Sequence, residues 1–162
     1  MNNGWRWLEI SKDILNPFSM IDVSLKEDSM RAAVASGKVF LKPVTLRAIK
    51  KGTVKKGDPL AVAEVASIQA VKKTPALIPM CHNIPIGSIT LEFEIDEKSV
   101  KATCKVTTIS KTGVEMEALT GASIALLTIW DMVKYLEKDE EGQYPETIIT
   151  EIKVTEKRKE SI

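Results

Sequence analysis

The chain has 162 residues, 44% of them hydrophobic and 28% charged, with a formal net charge of +1. One domain of that length can bury about 70% of the surface its unfolded chain exposes, and so even a charge balance gives no general pull toward nucleic acid or an acidic membrane. Two cysteines, Cys81 and Cys104, are too few for a disulfide framework; the sequence also lacks an apparent leader or an uninterrupted membrane-length apolar run, so a cytoplasmic protein is expected.

In chain order, residues 1–17 carry Trp5 and Trp7 without usable periodicity and are set apart as an N-terminal arm; 18–157 read as one domain and 158–162 as a short tail. Arg31 to Ser36 reads as a brief helical turn ended by Gly37, with a strand starting over Lys38–Leu41. Pro43 opens a short helix through Ile49 that stops near Gly52. Asp58 followed by Pro59 is an N-cap with proline at the first helical position, which predicts a helix continuing over Leu60–Lys73. Thr74 to Pro85 holds three prolines and the only histidine, His82, and is expected to be irregular or briefly helical.

Two strands follow. In Ile89–Ile95 the odd positions are apolar and the even ones polar, and Val100–Thr107 alternates likewise, with Cys104 on its apolar side. Asp96–Ser99 suits a hairpin loop between them. Lys111–Lys134 then reads as a long helix rich in Ala, Leu, Met and Glu, opened by Thr112 and Glu115 at capping-box spacing. A polar break leads to a last strand from Ile148 to about Thr155. Strand, helix, strand, strand, helix, strand is the α+β, ferredoxin-like βαββαβ order: an antiparallel sheet with helices on one face. Thr90, Glu92, Glu94, Lys101, Thr103 and Lys105 would occupy the other face.

The long helix carries charges that an apolar helix does not need. A cap accounts for Glu115 and a favourable C-terminal charge for Lys134, but Glu117 and Asp131 are left over. They lie on nearly the same side, since fourteen residues fall only about 40° short of four turns. Elsewhere the chemistry is sparse. Cys81 and His82 are adjacent, and no second Cys or His pair has ligand spacing, so no metal is expected. Nucleophile elbows and phosphate-cradling glycine loops are absent. What remains is lysines with one histidine and carboxylates: Lys56 before a helix start, His82 in a proline-stiffened loop, and Asp131 with Lys134 on one helical turn. Lysines hold a polyphosphate as point charges, and His, Asp and Lys move protons.

Lys56-Gly57-Asp58, Lys72-Lys73-Thr74 with Leu77-Ile78-Pro79-Met80-Cys81-His82, Lys111 to Thr120 (KTGVEMEALT) and Asp131-Met132-Val133-Lys134 closely resemble the MoaC family of molybdenum cofactor biosynthesis, the cyclic pyranopterin monophosphate synthases. Ile21-Asp22-Val23-Ser24 with Lys26 and Arg31 is similar to the family's N-terminal motif. The resemblance implies a diphosphate-releasing lyase whose substrate is a GTP-derived cyclic nucleotide triphosphate, 3′,8-cyclo-7,8-dihydroguanosine triphosphate. It implies a homohexamer, a trimer of dimers with sites shared at the dimer interface, no cofactor, and neither nucleic acid nor membrane as partner. Carried over by position, Asp131 is the active-site acid or base and Lys134 and Lys56 are essential lysines. Met80, Cys81, His82, Glu115, Met116, Glu117, Lys72, Lys26 and Lys157 fall in substrate-binding positions. The chain departs from the family at its end, where Lys157 to Ile162 replaces a glycine-rich Lys-Ser-Gly-Gly-Lys.

One alternative comes from another class. Lys42 to Lys73 carries eight basic residues against Asp58 and Glu64, which a non-catalytic ferredoxin-like module could use to bind RNA or another polyanion. The strands weigh against it, since Phe93 alone could serve as an aromatic platform.

Overall fold

Small residues set the spacing of the whole molecule. Ala33, Ala35, Gly37 and Val39 line one side of β1 (Ser29–Phe40), and Val100, Ala102, Cys104 and Val106 line the same side of β3 (Ser99–Ser110). A helix can therefore lie close against both. The computed structural model describes residues 19–162; the expected arm at 1–17, and Phe18 at the start of the expected domain, lie outside them.

The elements between and after these strands are α1 (Pro43–Lys51), α2 (Pro59–Lys72), the single turn α3 (Thr74–Leu77), β2 (Ser88–Ile95), α4 (Glu115–Glu137) and β4 (Ile148–Ser161). The four strands form one sheet in the order β2-β3-β1-β4, and every neighbouring pair is antiparallel. This is the ferredoxin-like arrangement. α4 lies across β1, β3 and β4, with α2 packed beside it. Leu126, Ile129 and Val133 of α4 are fully buried, as are Ala118, Ala122 and Ala125.

The helices start and stop where the sequence predicts, with one exception. Gly52 ends α1 at φ +66°, the left-handed conformation that glycine takes without a Cβ penalty. The Asp58 carboxylate accepts from the amides of Leu60 and Ala61 and caps α2. α4 is the exception: it begins at Glu115, its N-cap is Val114, and no side chain caps it. Thr112 and Glu115 form no capping box, because Glu115 directs its carboxylate to Lys157 on β4. Gly113 leaves room for the carboxylate in that position, since a Cβ there would make it shift.

Two further expectations are corrected. Arg31–Ser36 is no helical turn but the middle of β1, paired on both sides by β3 and β4. Gly37 is a packing residue, not a helix stop: a Cβ there would stand 2.8 Å from Leu126 Cδ1 and 2.9 Å from Ile152 Cγ1. β4 bulges opposite this stretch, with Glu151 at φ +56°. Nor does β4 end near Thr155; it pairs with β1 as far as Ser161, so most of the expected 158–162 tail is strand.

α4 is also, by length and composition, apolar enough to cross a membrane, although charged residues interrupt its apolar run. Half of that apolar window is buried within this fold, the ordinary circumstance of a core helix. At its last residue Glu137 is fully buried and accepts from the Lys42 amide (3.1 and 3.2 Å) and from Thr147 Oγ1 (2.6 Å). That carboxylate fastens the end of α4 to the β1–α1 loop and to the entry of β4. α2 crosses α4 at Gly121, where Ser67 Oγ donates to the Gly121 carbonyl at 2.9 Å. Here too a side chain would collide, at 2.5 Å from Cys104 Sγ and 2.8 Å from Val71 Cγ2.

Candidate active site

The residues singled out in the sequence gather at the two ends of α4. At its N-terminal end is a pocket of about 550 Å³. The loop after α3 brings Met80, Cys81 and His82 to one wall, and the first turn of α4 brings Glu115, Met116 and Glu117 to another. The segment before β1 closes a third side with Met20, Ile21 and Lys26. That segment is tied down from both walls: His82 Nε2 lies 2.9 Å from the Ile21 carbonyl, and Lys111 Nζ donates to the Ser24 carbonyl at 2.7 Å. A carbonyl only accepts, so the bonded imidazole nitrogen carries its proton. Arg31 secures the strand end behind, donating to the carbonyls of Ser110 (2.9 Å) and Lys111 (3.0 Å).

The two carboxylates of this pocket feel different surroundings. Glu117 is 3% exposed. Burial raises its pKa above the usual glutamate value; its own amide opposes this and the charge of Glu115 adds to it. Burial also pulls Glu115 upward, but Lys157, the Glu115 amide and Arg31 outweigh it, and the net shift is down. Burial and the charge of Glu117 together push the Cys81 thiol up, which keeps it a thiol rather than a nucleophilic thiolate at neutral pH.

At the other end stands an exposed ionic cluster. Lys134 Nζ lies 2.7 Å from Asp131 Oδ1, one turn along the helix. Lys56 reaches in from the α1–α2 loop, with its Nζ 2.9 Å from Asp131 Oδ2 and 2.8 Å from the Asp131 carbonyl. The Asp131 carboxylate is thus shared by two ammoniums. The hydrogen bonds from Lys134 and then Lys56 lower its pKa to about 2, and Asp131 in turn raises that of Lys134.

The structure therefore brings together Asp131, Lys134 and Lys56 in one cluster, and Lys26, Met80 to His82 and Glu115 to Glu117 in the other, with Lys157 at its rim through Glu115. It does not unite the two: Glu117 and Asp131 are about 21 Å apart along the helix axis, at about 1.5 Å per residue. Lys72, the last residue of α2, is exposed and lines neither cluster. Sequence reasoning overlooked the strap from Ser19 to Val23 as a pocket wall, although its Ile-Asp-Val-Ser motif was in view. It also overlooked Tyr135, whose hydroxyl accepts from the Lys55 amide at 2.9 Å.

A larger hollow of about 670 Å³ lies on the helix-free face of the sheet. Two of its three lysines are already paired, Lys101 with Glu94 (2.7 Å) and Lys38 with Glu151 (3.2 Å). None of the expected site residues lines it. Phe93, the aromatic expected to serve an RNA platform, packs instead against the core under the helices. The basic stretch is also divided, since Lys55 and Lys56 precede α2 while Lys72 and Lys73 follow its main length. Among the described residues no group of three or more His, Cys, Asp or Glu could hold a metal ion.

Residues 20–160 match the model of the MoaC family. A protein of Methanoregula boonei is 56% identical over 140 residues, covering 86% of this chain and 90% of its own length. One from Pyrococcus furiosus is 55% identical over 141 residues, covering 87% and 90%, and one from Methanosarcina mazei is 57% identical over 140 residues, covering 86% and 89%. Each bears the name probable cyclic pyranopterin monophosphate synthase. Nothing in these likenesses supports the polyanion-binding module.

Proposed function

Because the chain belongs to the MoaC family, we propose that it is a cyclic pyranopterin monophosphate synthase of molybdenum cofactor biosynthesis. In this reading it converts (8S)-3′,8-cyclo-7,8-dihydroguanosine 5′-triphosphate to cyclic pyranopterin monophosphate and diphosphate in the cytoplasm. It is then a lyase of the phosphorus–oxygen type.

The observation that carries the chemistry is the single carboxylate held between two lysines. Closing a cyclic phosphate joins a hydroxyl oxygen to the α-phosphorus while the bond to the diphosphate breaks. The electron pair leaves with diphosphate and the hydroxyl proton needs a base. Lys56 and Lys134 supply positive charge where the leaving group becomes negative, and Asp131 supplies the proton acceptor. With a pKa of about 2 the clamped Asp131 is a weak base. A triphosphate competing for the two ammoniums would release it and restore its basicity, so substrate binding would itself activate the base. At the other cluster, Glu115 and Glu117 can accept from the N–H edge of a guanine-derived ring, with Met80, Cys81 and Met116 as softer walls. His82, Lys26 and Lys157 supply its polar and cationic contacts.

One subunit cannot apply both clusters to the same reacting atoms. A two-fold dimer that sets the Glu117 end of one protomer against the partner subunit's Asp131 end would form two equivalent shared sites. Three such dimers would make the hexamer. The direct test supplies the cyclised dihydroguanosine triphosphate and measures diphosphate and pterin. Stoichiometric release of both is expected, and folded protein that yields neither overturns the assignment.

A further inference from the structure

We propose that Tyr135 is the positioning residue for Lys56, an inference that rests on the reading of Lys56 as a group acting on substrate. Asp131, Lys134 and Tyr135 stand at i, i+3 and i+4 on α4, so one helical turn presents all three on neighbouring positions. The first two hold ions; the third holds a backbone. The half-buried Tyr135 ring packs against the core, and its hydroxyl oxygen accepts from the Lys55 amide at 2.9 Å. The Lys55 ammonium lies 5.6 Å from the ring centroid.

Those contacts matter because of the loop they restrain. Between Gly52 (φ +66°) and Gly57 (φ +98°), two glycines in left-handed conformations, the chain is held to the body at separate points, beginning with the Thr53 amide, which donates to the Ala48 carbonyl at 3.0 Å. Val54 is the next, 6% exposed and inserted in the core, with its carbonyl accepting from the Gly57 amide at 3.1 Å. The phenol is another, and it grips the residue immediately before Lys56. A lysine has a flexible four-carbon stem. With the backbone before it held by the phenol, that stem has fewer positions open to it, which favours the one that sets the ammonium on both the carboxylate and the carbonyl of Asp131. Tyr135 itself touches neither ammonium of the cluster through its hydroxyl. Its effect runs through the main chain.

Tyr135→Phe removes the acceptor and keeps the ring. Losing one hydrogen bond of ordinary strength is expected to lower kcat about fivefold to tenfold while KM stays within about twofold, the signature of a contact needed in the transition state. In a Lys56→Ala background the same substitution is expected to leave the residual rate unchanged within about twofold, because there is no longer a lysine to place. Brief acetylation read by peptide mass spectrometry gives a second readout independent of turnover: labelling of Lys56 should rise severalfold in Tyr135→Phe while that of Lys134 does not. Wild-type kcat in Tyr135→Phe, an equal fold-loss in the Lys56→Ala background, or unchanged Lys56 labelling would overturn the proposal. If Lys56→Ala alone keeps full activity, the functional reading of Lys56 falls with it; if Lys56→Ala is crippled but Tyr135→Phe is not, only the positioning role falls.

Discussion

At the N-terminal end of α4 a carboxylate is shut away from water, and at the C-terminal end another stands in water between two ammoniums. Glu117 is raised in pKa by burial, and Asp131 is lowered to about 2 by Lys134 and Lys56. One helix thus holds two carboxylates whose environments push them in opposite directions, the pattern by which acid and base roles are divided. The difference also teaches what each end can do alone. The N-terminal pocket has walls, an apolar share and hydrogen-bond acceptors, which suit recognition of a ring. The C-terminal cluster has charge without enclosure, which suits a polyphosphate but cannot choose among polyphosphates.

The comparison breaks most sharply if the exposed cluster proves dispensable. Lys56→Ala and Lys134→Ala are expected to fold normally, since both ammoniums are solvent-exposed and neither stem lies in the core. Each is expected to lose turnover by at least about 10²-fold, a barrier increase of about 2.7 kcal/mol. Circular dichroism checks the fold and steady-state release of diphosphate checks the rate. Wild-type rates in both variants would confine the chemistry to the N-terminal pocket.

A second experiment asks whether the two ends meet across subunits. Lys134→Ala and Glu117→Ala, each inactive alone, are mixed and allowed to exchange subunits. Each mixed dimer then holds one site with both residues intact and one with neither. Random exchange makes half the dimers mixed, so recovery to about a quarter of the parent rate is expected. Verified exchange with no recovery would mean that the ends work within one chain or on separate tasks.

How much of this was legible beforehand depended on whether the signal was local. The caps at Asp58 and Gly52 and the alternation in β2 and β3 are written in consecutive residues, and the structure forms them as expected. β1 is hard to read locally because Ala33 and Ala35 look like helix formers. They are small for another reason: α4 packs onto that face, and Gly37 clears space for Leu126 and Ile152, residues distant in sequence. The Thr112–Glu115 box failed for a similar cause, since its carboxylate was taken by Lys157 from β4. In the site, the members of each cluster were foreseeable as residue types. That Lys56 would join Asp131 follows from the fold alone, because the loop that carries Lys56 lies 75 positions away. The division into two ends was legible from the helix rise without any structure.

The smallest expected effect is in the pH dependence of stability, and it separates the two carboxylates most cleanly. Glu117 has a folded pKa raised above its usual 4.5, so the folded chain binds this proton more readily than the unfolded one. Its ionisation therefore costs stability at neutral pH. That cost fades as pH falls through the raised value and is gone below about 4.5, where both states are protonated. Asp131 runs the other way: its ion pairs contribute above the usual 3.8 and are lost only as pH falls through about 2. Glutamine is neutral throughout, so Glu117→Gln is expected to raise Tm at pH 8 by less than about 4 °C, the shift that 1 kcal/mol gives in a domain of this size. The difference should close on acidification toward pH 4. Asp131→Asn should instead differ from the parent by a constant amount over the same range. Thermal melts of the three proteins from pH 8 to pH 4 decide it: a Glu117→Gln difference that stays flat would mean that Glu117 is as well solvated as Asp131, and the contrast between the two ends of α4 would be lost.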